Sequence, residues 1–478
     1  MIEALTGQIA WIYYAITIIT TISIITVVVS ENRNPVKSLA WITVLVTLPM
    51  VGIILYLFFG RNIKNKRMIS RRNRRLLKHH EPPQNVRIER QGLTTESVHL
   101  VKLAKSLSGA RYYPGNDVRL FSSGKDKFDT LLADIAAAKK QIHIQYYIFE
   151  NDSIGRRMAD ALIERARAGV TVRLIYDHVG SFHVHNRFFR SLTEAGVQAY
   201  PFFKVSFPQL GTRVNWRNHR KICVIDGAIG YIGGMNVADR YITGGDKFDM
   251  WRDLHLRITG PAVSALNHSF AIDWNFMGQD VITDPPMPDY TGDRSDNAGM
   301  QLLTSGPTNQ WTNISFLFLK AITNARKRVY IYTPYFLPTS GLLKALQAAA
   351  LSGVDVRILI PRRSDSAMLT AASFSYVSES LQSGIKIYLF EPGMMHAKAL
   401  LVDDEFVSIG STNFDFRSFE HNFEANMQIY SKAVNARLAD LFHADLRHST
   451  RIRADQWRKR PWRKKAVQSL TRLLSPVL

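Results

Sequence analysis

The chain has 478 residues, 46% of them apolar and 21% charged, with one cysteine and a net charge of +22 at pH 7. That length accommodates two or three domains and a large core, and the single cysteine, Cys223, excludes an intrachain disulfide and permits a reducing compartment. The charge is local: residues 61–80 are net +9 and residues 451–478 net +8, which leaves +5 for everything else. DNA binding relies on many phosphate contacts, so nucleic acid is not the expected partner.

In chain order, the first feature is a pair of uncharged runs, Ala4 to Ser30 and Ser38 to Gly60. Each exceeds the ~20 apolar residues that a helix needs to cross the hydrocarbon of a bilayer. Trp11, Tyr13, Tyr14 and Trp41 lie near the ends, where interfacial aromatics sit. The link "ENRNPVK" is short, so residues 1–60 are expected to form a transmembrane helical hairpin, with Pro49 kinking its second helix only locally. A cleaved signal peptide fits less well, because the first run is long, lacks a basic start and precedes a second run. Residues 61–110 then form a basic juxtamembrane linker. By the positive-inside rule its basic cluster at 61–80 is cytoplasmic, which predicts a multi-pass membrane protein with the domains that follow on the cytoplasmic side. The cluster would also attract anionic membrane lipids, by roughly 1 kcal/mol per basic residue.

Beyond residue 110 the pattern occurs twice. "VRLFSSG", "AKKQIHIQYYIF", "GVTVRLIYD" and "NHRKICVIDGAIGYIGGMN" are matched in order by "MQLLTSG", "ARKRVYIYTPYF", "GVDVRILIP" and "MHAKALLVDDEFVSIGSTN". The apolar runs read as strands and "IGRRMADALIERARAGV" and "SGLLKALQAAALSGV" as helices. The expected fold class is α/β: two domains, 111–297 and 298–450, related by a pseudo-twofold axis, with mixed, mainly parallel sheets flanked by helices. Residues 451–478 remain as a basic tail.

The last segment of each half carries the chemistry. His219, Lys221, Asp226, Gly233, Gly234 and Asn236 recur 177 residues later as His396, Lys398, Asp403, Gly410, Ser411 and Asn413. Both segments read as hairpins turning at Asp-Gly or Asp-Asp. Residues i and i+2 of a strand share a face, so His and Lys project together. With 14 histidines, one H-x-K-x4-D arises by chance roughly 0.035 times per chain; two copies at matching offsets are not chance. A duplicated structural hairpin is the bland alternative. The residue types suit a phosphodiester: one His can attack phosphorus, the other can protonate the leaving alcohol and deprotonate the incoming one, and two Lys and two Asn can surround the phosphoryl oxygens. Asp226 and Asp403 complete the candidate catalytic set, although their place at a hairpin turn suits a turn-holding role.

The paired motifs resemble the phospholipase D superfamily. Over the whole chain, from about residue 8 onward, the sequence resembles the bacterial cardiolipin synthases, on the strength of "NPVKSLAWITVLVTLPMVGIILYLFFGRN", "TPYFLP", "SFEHNFEAN" and the basic end "RPW…LLSPVL". The resemblance implies reversible phosphatidyl transfer between two phosphatidylglycerol molecules, giving cardiolipin and glycerol through a phosphohistidine, with no metal or other cofactor. Carried over by position, His219 would be the nucleophile and His396 the general acid/base, although the motifs are too alike for sequence to decide. Lys221, Lys398, Asn236 and Asn413 would hold the phosphate. Ser411 would add a hydroxyl where the first copy has Gly234. Asp253 in "MWRDLHL" and Glu424 in "NFEANMQ" look like the groups that orient the imidazoles. A hydrolase using water as acceptor is the runner-up within this chemistry; a silent lipid-binding scaffold would be expected to have lost one motif, and both are intact.

Other features have plainer readings. Cys223, inside "ICVI", reads as a buried small hydrophobe. His183 and His185 in "FHVHN" could be half a metal site, but no ligand cluster accompanies them, and a polar cleft rim fits better. Residues 202–217, with Lys204, Arg213 and Arg217 among aromatics, read as a loop or as a lip that meets the bilayer. The tail, with Trp457, Trp462 and six basic residues between 458 and 465, reads as an interfacial amphipathic segment.

Overall fold

The computed structural model describes residues 2–30, 35–56, 70, 72–73, 91–204, 216–282 and 295–475. The chain forms two compact units, Met1–Lys66 with Val205–Trp216, and Arg67–Lys204 with Arg217–Leu478. Most of the basic linker at 61–80, the loop segment 205–215 and the last three residues of the tail lie outside the described residues.

The smaller unit holds helices α1 (Ile2–Ser30), α2 (Pro35–Thr47) and α3 (Pro49–Leu55). The second expected span is therefore two helices rather than one kinked helix. Proline lacks an N–H and clashes with the preceding turn, and the break falls at Leu48, whose ψ of 67° is not helical. Leu45 and Tyr56 are buried against Ile24, Trp41 and Ile53, while Trp11, Ile18, Ile22, Leu39 and Val51 are exposed. Among the described residues no helix is long and apolar enough to cross a membrane.

The larger unit is built on one sheet. In the first half its strands are β1 (Tyr113–Phe121), β2 (Gln141–Tyr146), β3 (Thr171–Asp177), β4 (Gln198–Phe202), β5 (Ile222–Ile225), β6 (Ile229–Gly233), β7 (Trp251–Arg252) and β8 (His255–Thr259). The second half supplies β9 (Ala298–Ser305), β10 (Arg328–Tyr332), β11 (Asp355–Pro361), β12 (Lys386–Phe390), β13 (Met394–Met395), β14 (Ala399–Val402), β15 (Phe406–Gly410), β16 (Glu424–Tyr430) and β17 (Ser449–Arg451). All but β7 and β13 join a fifteen-stranded sheet, ordered β17-β12-β11-β10-β14-β15-β16-β9-β1-β8-β6-β5-β2-β3-β4. The order is the same read outward from the β9/β1 centre in either direction, apart from the extra β17, and those two strands pair antiparallel through Tyr113–Met300 and Asn116–Ala298.

The sheet is mixed, as the alternating pattern implies, but it is not mainly parallel. Its parallel pairs are β2/β3, β3/β4, β10/β11 and β11/β12, and the remaining pairs are antiparallel. Helical crossovers such as Ser153–Arg167 and Ser340–Leu351 join only the outer strands, and short turns can connect only antiparallel neighbours. The motif hairpins β5/β6 and β14/β15 are of that second kind. Cys223 is fully buried in β5, where desolvation pushes its thiol up to about 12. His185 caps the helix Asn186–Glu194 by accepting from the Arg187 N–H at 3.2 Å, and His183 is exposed. Among the described residues no cluster of three or more His, Cys, Asp or Glu is placed to hold a metal. The tail forms helices Ala454–Arg458 and Trp462–Leu473. Trp457 packs edge-on against Phe374, whereas Trp462, Val467, Leu470 and Leu473 are exposed.

Asp226 and Asp403 occupy matching turns at φ 52° and 51°. The Asp226 carboxylate accepts from the backbone N–H groups of Lys139, Lys140 and Gln141 at 2.7–2.9 Å, and Asp403 accepts from Arg326, Lys327 and Arg328 at 2.7–3.1 Å. Each fastens a hairpin turn to the start of the neighbouring strand, five residues beyond Lys221 or Lys398 and so about 16 Å along the strand. Replacing Asp226 with Ala should cost about 2–3 kcal/mol, since the N–H groups lose a charged acceptor and Ala is strained at positive φ; Asn should cost less. The readout is the melting temperature, and lost turnover with no change in melting would instead place this carboxylate in the chemistry.

Candidate active site

The two H-x-K segments enter the same region from opposite halves of the sheet, and backbone bonds tie each to the other half. In the first, Phe423 N–H donates to Arg217 C=O and His219 N–H to Phe423 C=O, both at 2.9 Å. In the second, β13 pairs parallel with β7, Met394 N–H donates to Met250 C=O at 2.9 Å, and His396 N–H donates to Arg252 C=O at 2.7 Å. The residue after each anchoring strand is a carboxylate, so the stitches deliver the carboxylates crosswise.

His219 Nδ1 lies 3.0 and 3.1 Å from the two oxygens of Glu424, and His396 Nδ1 lies 2.5 Å from Asp253 Oδ2. Each imidazole is thus oriented by the half to which it does not belong. Glu424 also accepts from Ser411 Oγ at 2.5 Å and Asn422 Nδ2 at 3.3 Å. Asp253 accepts from its neighbour, Leu254 N–H, at 2.7 Å. The Ser411/Gly234 difference follows from this packing: a Cβ on Gly234 would stand 2.1 Å from Asp253 Oδ1. A side chain fits beside Glu424 and is excluded beside Asp253.

Lys221 and Lys398 are buried beneath the rings. Lys221 Nζ donates to His219 C=O at 2.6 Å; Lys398 Nζ donates to His396 C=O and lies 2.8 Å from His396 Nδ1. The ammonium groups also feel both halves: Glu424 and Lys398 from the opposite half and Asp253 from its own all act on Lys221. The rings are walled by aromatics, with Tyr147 edge-on to His219 at 5.0 Å and Trp251 5.4 Å from His396.

The two asparagines are placed differently. Asn236 is committed within its half, accepting from Ile148 N–H at 3.1 Å and donating to Tyr241 OH at 2.7 Å. Asn413 is buried, and its Oδ1 meets no donor among the described residues. Sequence reading passed over the ion pairs that brace the first motif. Arg217 Nη1 meets Asp177 at 3.3 Å, and Arg220 Nη1 sits 2.6 Å from both oxygens of Asp273. The acid ending "VRLIYD" and the Arg flanking His219 were the only signal of either.

Burial sets the resting protonation. Desolvation, with Lys398 nearby, lowers His396 to about 4, and desolvation also lowers His219. Both rings are therefore neutral near pH 7, and with Nδ1 held, Nε2 is the atom each presents. Desolvation likewise brings Lys221 to about 7 and Lys398 to about 8. An anion in the cleft favours the charged lysines, so the arrangement gains protons as it takes up a phosphodiester.

Comparison with known proteins finds two matching families. The sequence matches the family "Cardiolipin synthase, PLD-like domain" over residues 131–274 and 318–446, and "Phospholipase D-nuclease N-terminal" over residues 15–61. It is 40% identical over 465 residues to the major cardiolipin synthase ClsA of Bacillus subtilis, covering 95% of this chain and 96% of that one. It is 38% identical over 483 residues to a cardiolipin synthase of Listeria monocytogenes, covering 99% and 100%. Among solved structures, the phosphatidylserine synthase of Haemophilus influenzae aligns with a TM-score of 0.61 at 14% identity, over 80% of this chain and 100% of that one. At that identity the likeness is one of fold.

Two measurements check the site. Replacing Glu424 with Gln should lower turnover about 10²–10⁴-fold and lower the pKa of the His219 ring, because the carboxylate raises it. Asp253→Asn should do the same to His396. Ring-nitrogen NMR titration reads both, and a response confined to the His of the same half would contradict the crossed pairing. With Lys221 near 7 and Lys398 near 8 in the empty cleft, kcat/KM should fall as pH rises from 7 to 9, since deprotonation removes the charge that binds the anion. A profile flat over that range would mean that the lysines stay charged without substrate.

Proposed function

The chain belongs to the cardiolipin synthases with phospholipase-D-like domains, and from that membership we propose a reaction between two phosphatidylglycerol molecules that gives cardiolipin and glycerol. The enzyme is a phosphatidyltransferase, with residues 111–297 and 298–450 as the two halves of its catalytic part. The observation that carries the reading is the crossed pair of carboxylate-held imidazoles above two buried lysines.

In the first step, His219 Nε2 attacks the phosphorus of the donor lipid. The bond from phosphorus to the head-group glycerol breaks as His396, protonated on taking up a proton with the anionic phosphate, gives that oxygen its Nε2 proton, and glycerol leaves. In the second, His396 takes the proton from a hydroxyl of the second phosphatidylglycerol. Its oxygen attacks phosphorus, the P–N bond breaks, and cardiolipin forms. Each step is the reverse of the other in kind, so the reaction runs both ways. The assignment of His219 as nucleophile is supported by its surroundings. Among the described residues its Nδ1 meets only a carboxylate, so it keeps the proton there and leaves Nε2 with a lone pair. His396 Nδ1 meets a carboxylate at 2.5 Å and an ammonium at 2.8 Å, so its ring is drawn between tautomers, which suits a group that shuttles a proton. Lys221 and Lys398 neutralise the phosphoryl charge, and Ser411 and Asn422 act through Glu424. No metal or other cofactor is assigned a role.

The uncharged runs at 4–30 and 38–60, together with the exposed apolar side chains of α1 and α2, support a membrane hairpin at the N-terminus. The basic residues at 61–80 would then face the cytoplasmic leaflet of the bacterial inner membrane and its anionic lipids. The exposed Trp462, Leu470 and Leu473 of the basic tail suit the same surface.

A product assay tests this reading. Purified protein in phosphatidylglycerol vesicles with EDTA should release glycerol and form cardiolipin in equal amounts, and His219→Ala should abolish both. Phosphatidic acid and glycerol without cardiolipin would make water the acceptor and refute the transferase.

A further inference from the structure

The donor phosphate is served by the two motifs, yet the second phosphatidylglycerol brings a phosphate of its own, one glycerol unit from the attacking hydroxyl. A compact acceptor site needs a second set of anion-binding groups beside the histidines. Arg217 is 2% exposed, and two of its three guanidinium nitrogens, Nε and Nη2, are buried without an acceptor among the described residues. Its one ion pair, to Asp177, is long at 3.3 Å, and that carboxylate already accepts from the N–H groups of Val179, Gly180 and Asn218. Buried donors are almost always satisfied, and an unfilled planar fork is the group best matched to a phosphate.

A second guanidinium stands nearby. The short helix Phe416–Glu420 reverses at His421 and Asn422, whose N–H groups both donate to Arg417 C=O. The chain then enters the stitch in which Phe423 bonds to Arg217 and His219. This brings Arg417 within electrostatic reach of both Arg217 and Tyr147, the residue whose ring abuts His219. Arg417 is partly exposed and makes no ion pair among the described residues. Asn422 Oδ1, two residues before Glu424, is buried and meets no donor among the described residues, and can accept from a glycerol hydroxyl.

We propose that Arg217 and Arg417 form a second phosphate subsite, which binds the phosphodiester of the acceptor phosphatidylglycerol and sets its glycerol hydroxyl against the phosphoryl group held by the motifs. The proposal rests on the transferase reading above. It explains how an anionic lipid competes with water and glycerol for the same intermediate.

The test compares two acceptors in one enzyme. Isotopically labelled glycerol exchanges into phosphatidylglycerol by the same bond making and breaking, with no second phosphate; cardiolipin formation needs one. In phosphatidylglycerol vesicles with labelled glycerol, the full-length Arg417→Gln variant should lower the ratio of cardiolipin formed to glycerol exchanged at least tenfold, through a raised KM for the acceptor lipid. Arg417→Lys should restore part of the ratio. Arg217→Lys, which keeps the charge beside Asp177, should also lower the ratio because it loses the fork. An unchanged ratio in Arg417→Gln and Arg217→Lys overturns the subsite, including the case in which both products fall together, since the arginines would then serve the donor phosphate. Absence of both products in the unsubstituted enzyme would instead remove the transferase reading itself.

Discussion

The site depends on the hydrogen bonds that cross between the halves. Glu424 reaches His219 and Asp253 reaches His396 because a parallel backbone stitch runs beside each histidine. A free imidazole in an apolar cleft would rotate and choose either tautomer. Here the carboxylates fix the rings and aim Nε2, as a buried acid does for a catalytic histidine. Since neither half supplies both partners of a pair, neither contains a working half-site, and this gives the duplication its purpose.

Burial and charge are balanced around this arrangement. Two lysines, two histidines and two carboxylates are nearly excluded from water, and isolated charges there would be costly. Desolvation pulls the lysines toward neutrality, His396 down to about 4 and His219 below its usual value, while Glu424 and Asp253 pull the other way. An arriving phosphodiester brings a negative charge, which favours the protonated form of both lysines. The bracing pairs Arg220–Asp273 and Arg252–Asp445 hold the backbone that carries the site. Losing one partner of such a buried pair typically costs about 3–5 kcal/mol.

The continuous sheet keeps these groups in place. Strands β9 and β1 join the halves at its centre, so β16 and β8 lie near the middle and deliver the carboxylate segments from either side. The motif hairpins are anchored at their far ends by Asp226 and Asp403. This separates the two acidic types in the region: those at the turns fix strand register, and those at the stitches orient rings.

Much of this was legible in the sequence. The 177-residue repeat, the pairing of His with Lys on one strand face and the motif hairpins all follow from local spacing, because strand periodicity and turn chemistry are set within a few residues; the candidate carboxylates Asp253 and Glu424 came from the family resemblance. The apolar runs and the location of the basic charge are equally local. Three things were decided only by the tertiary structure. The first is which carboxylate serves which histidine: Glu424 and His219 are 205 residues apart, Asp253 and His396 143 apart, and no spacing rule tells a same-half partner from a crossed one. The second is the antiparallel character of most of the sheet, since strand patterns do not reveal neighbour order. The third is the unequal fate of equivalent positions, with Asn236 committed to Tyr241 while Asn413 keeps an unpaired oxygen, and Gly234 making room for Asp253 where Ser411 instead donates to Glu424. Sequence records what each residue can do; the partner it meets depends on contacts between segments far apart in the chain, which exist only once both halves have closed on one another.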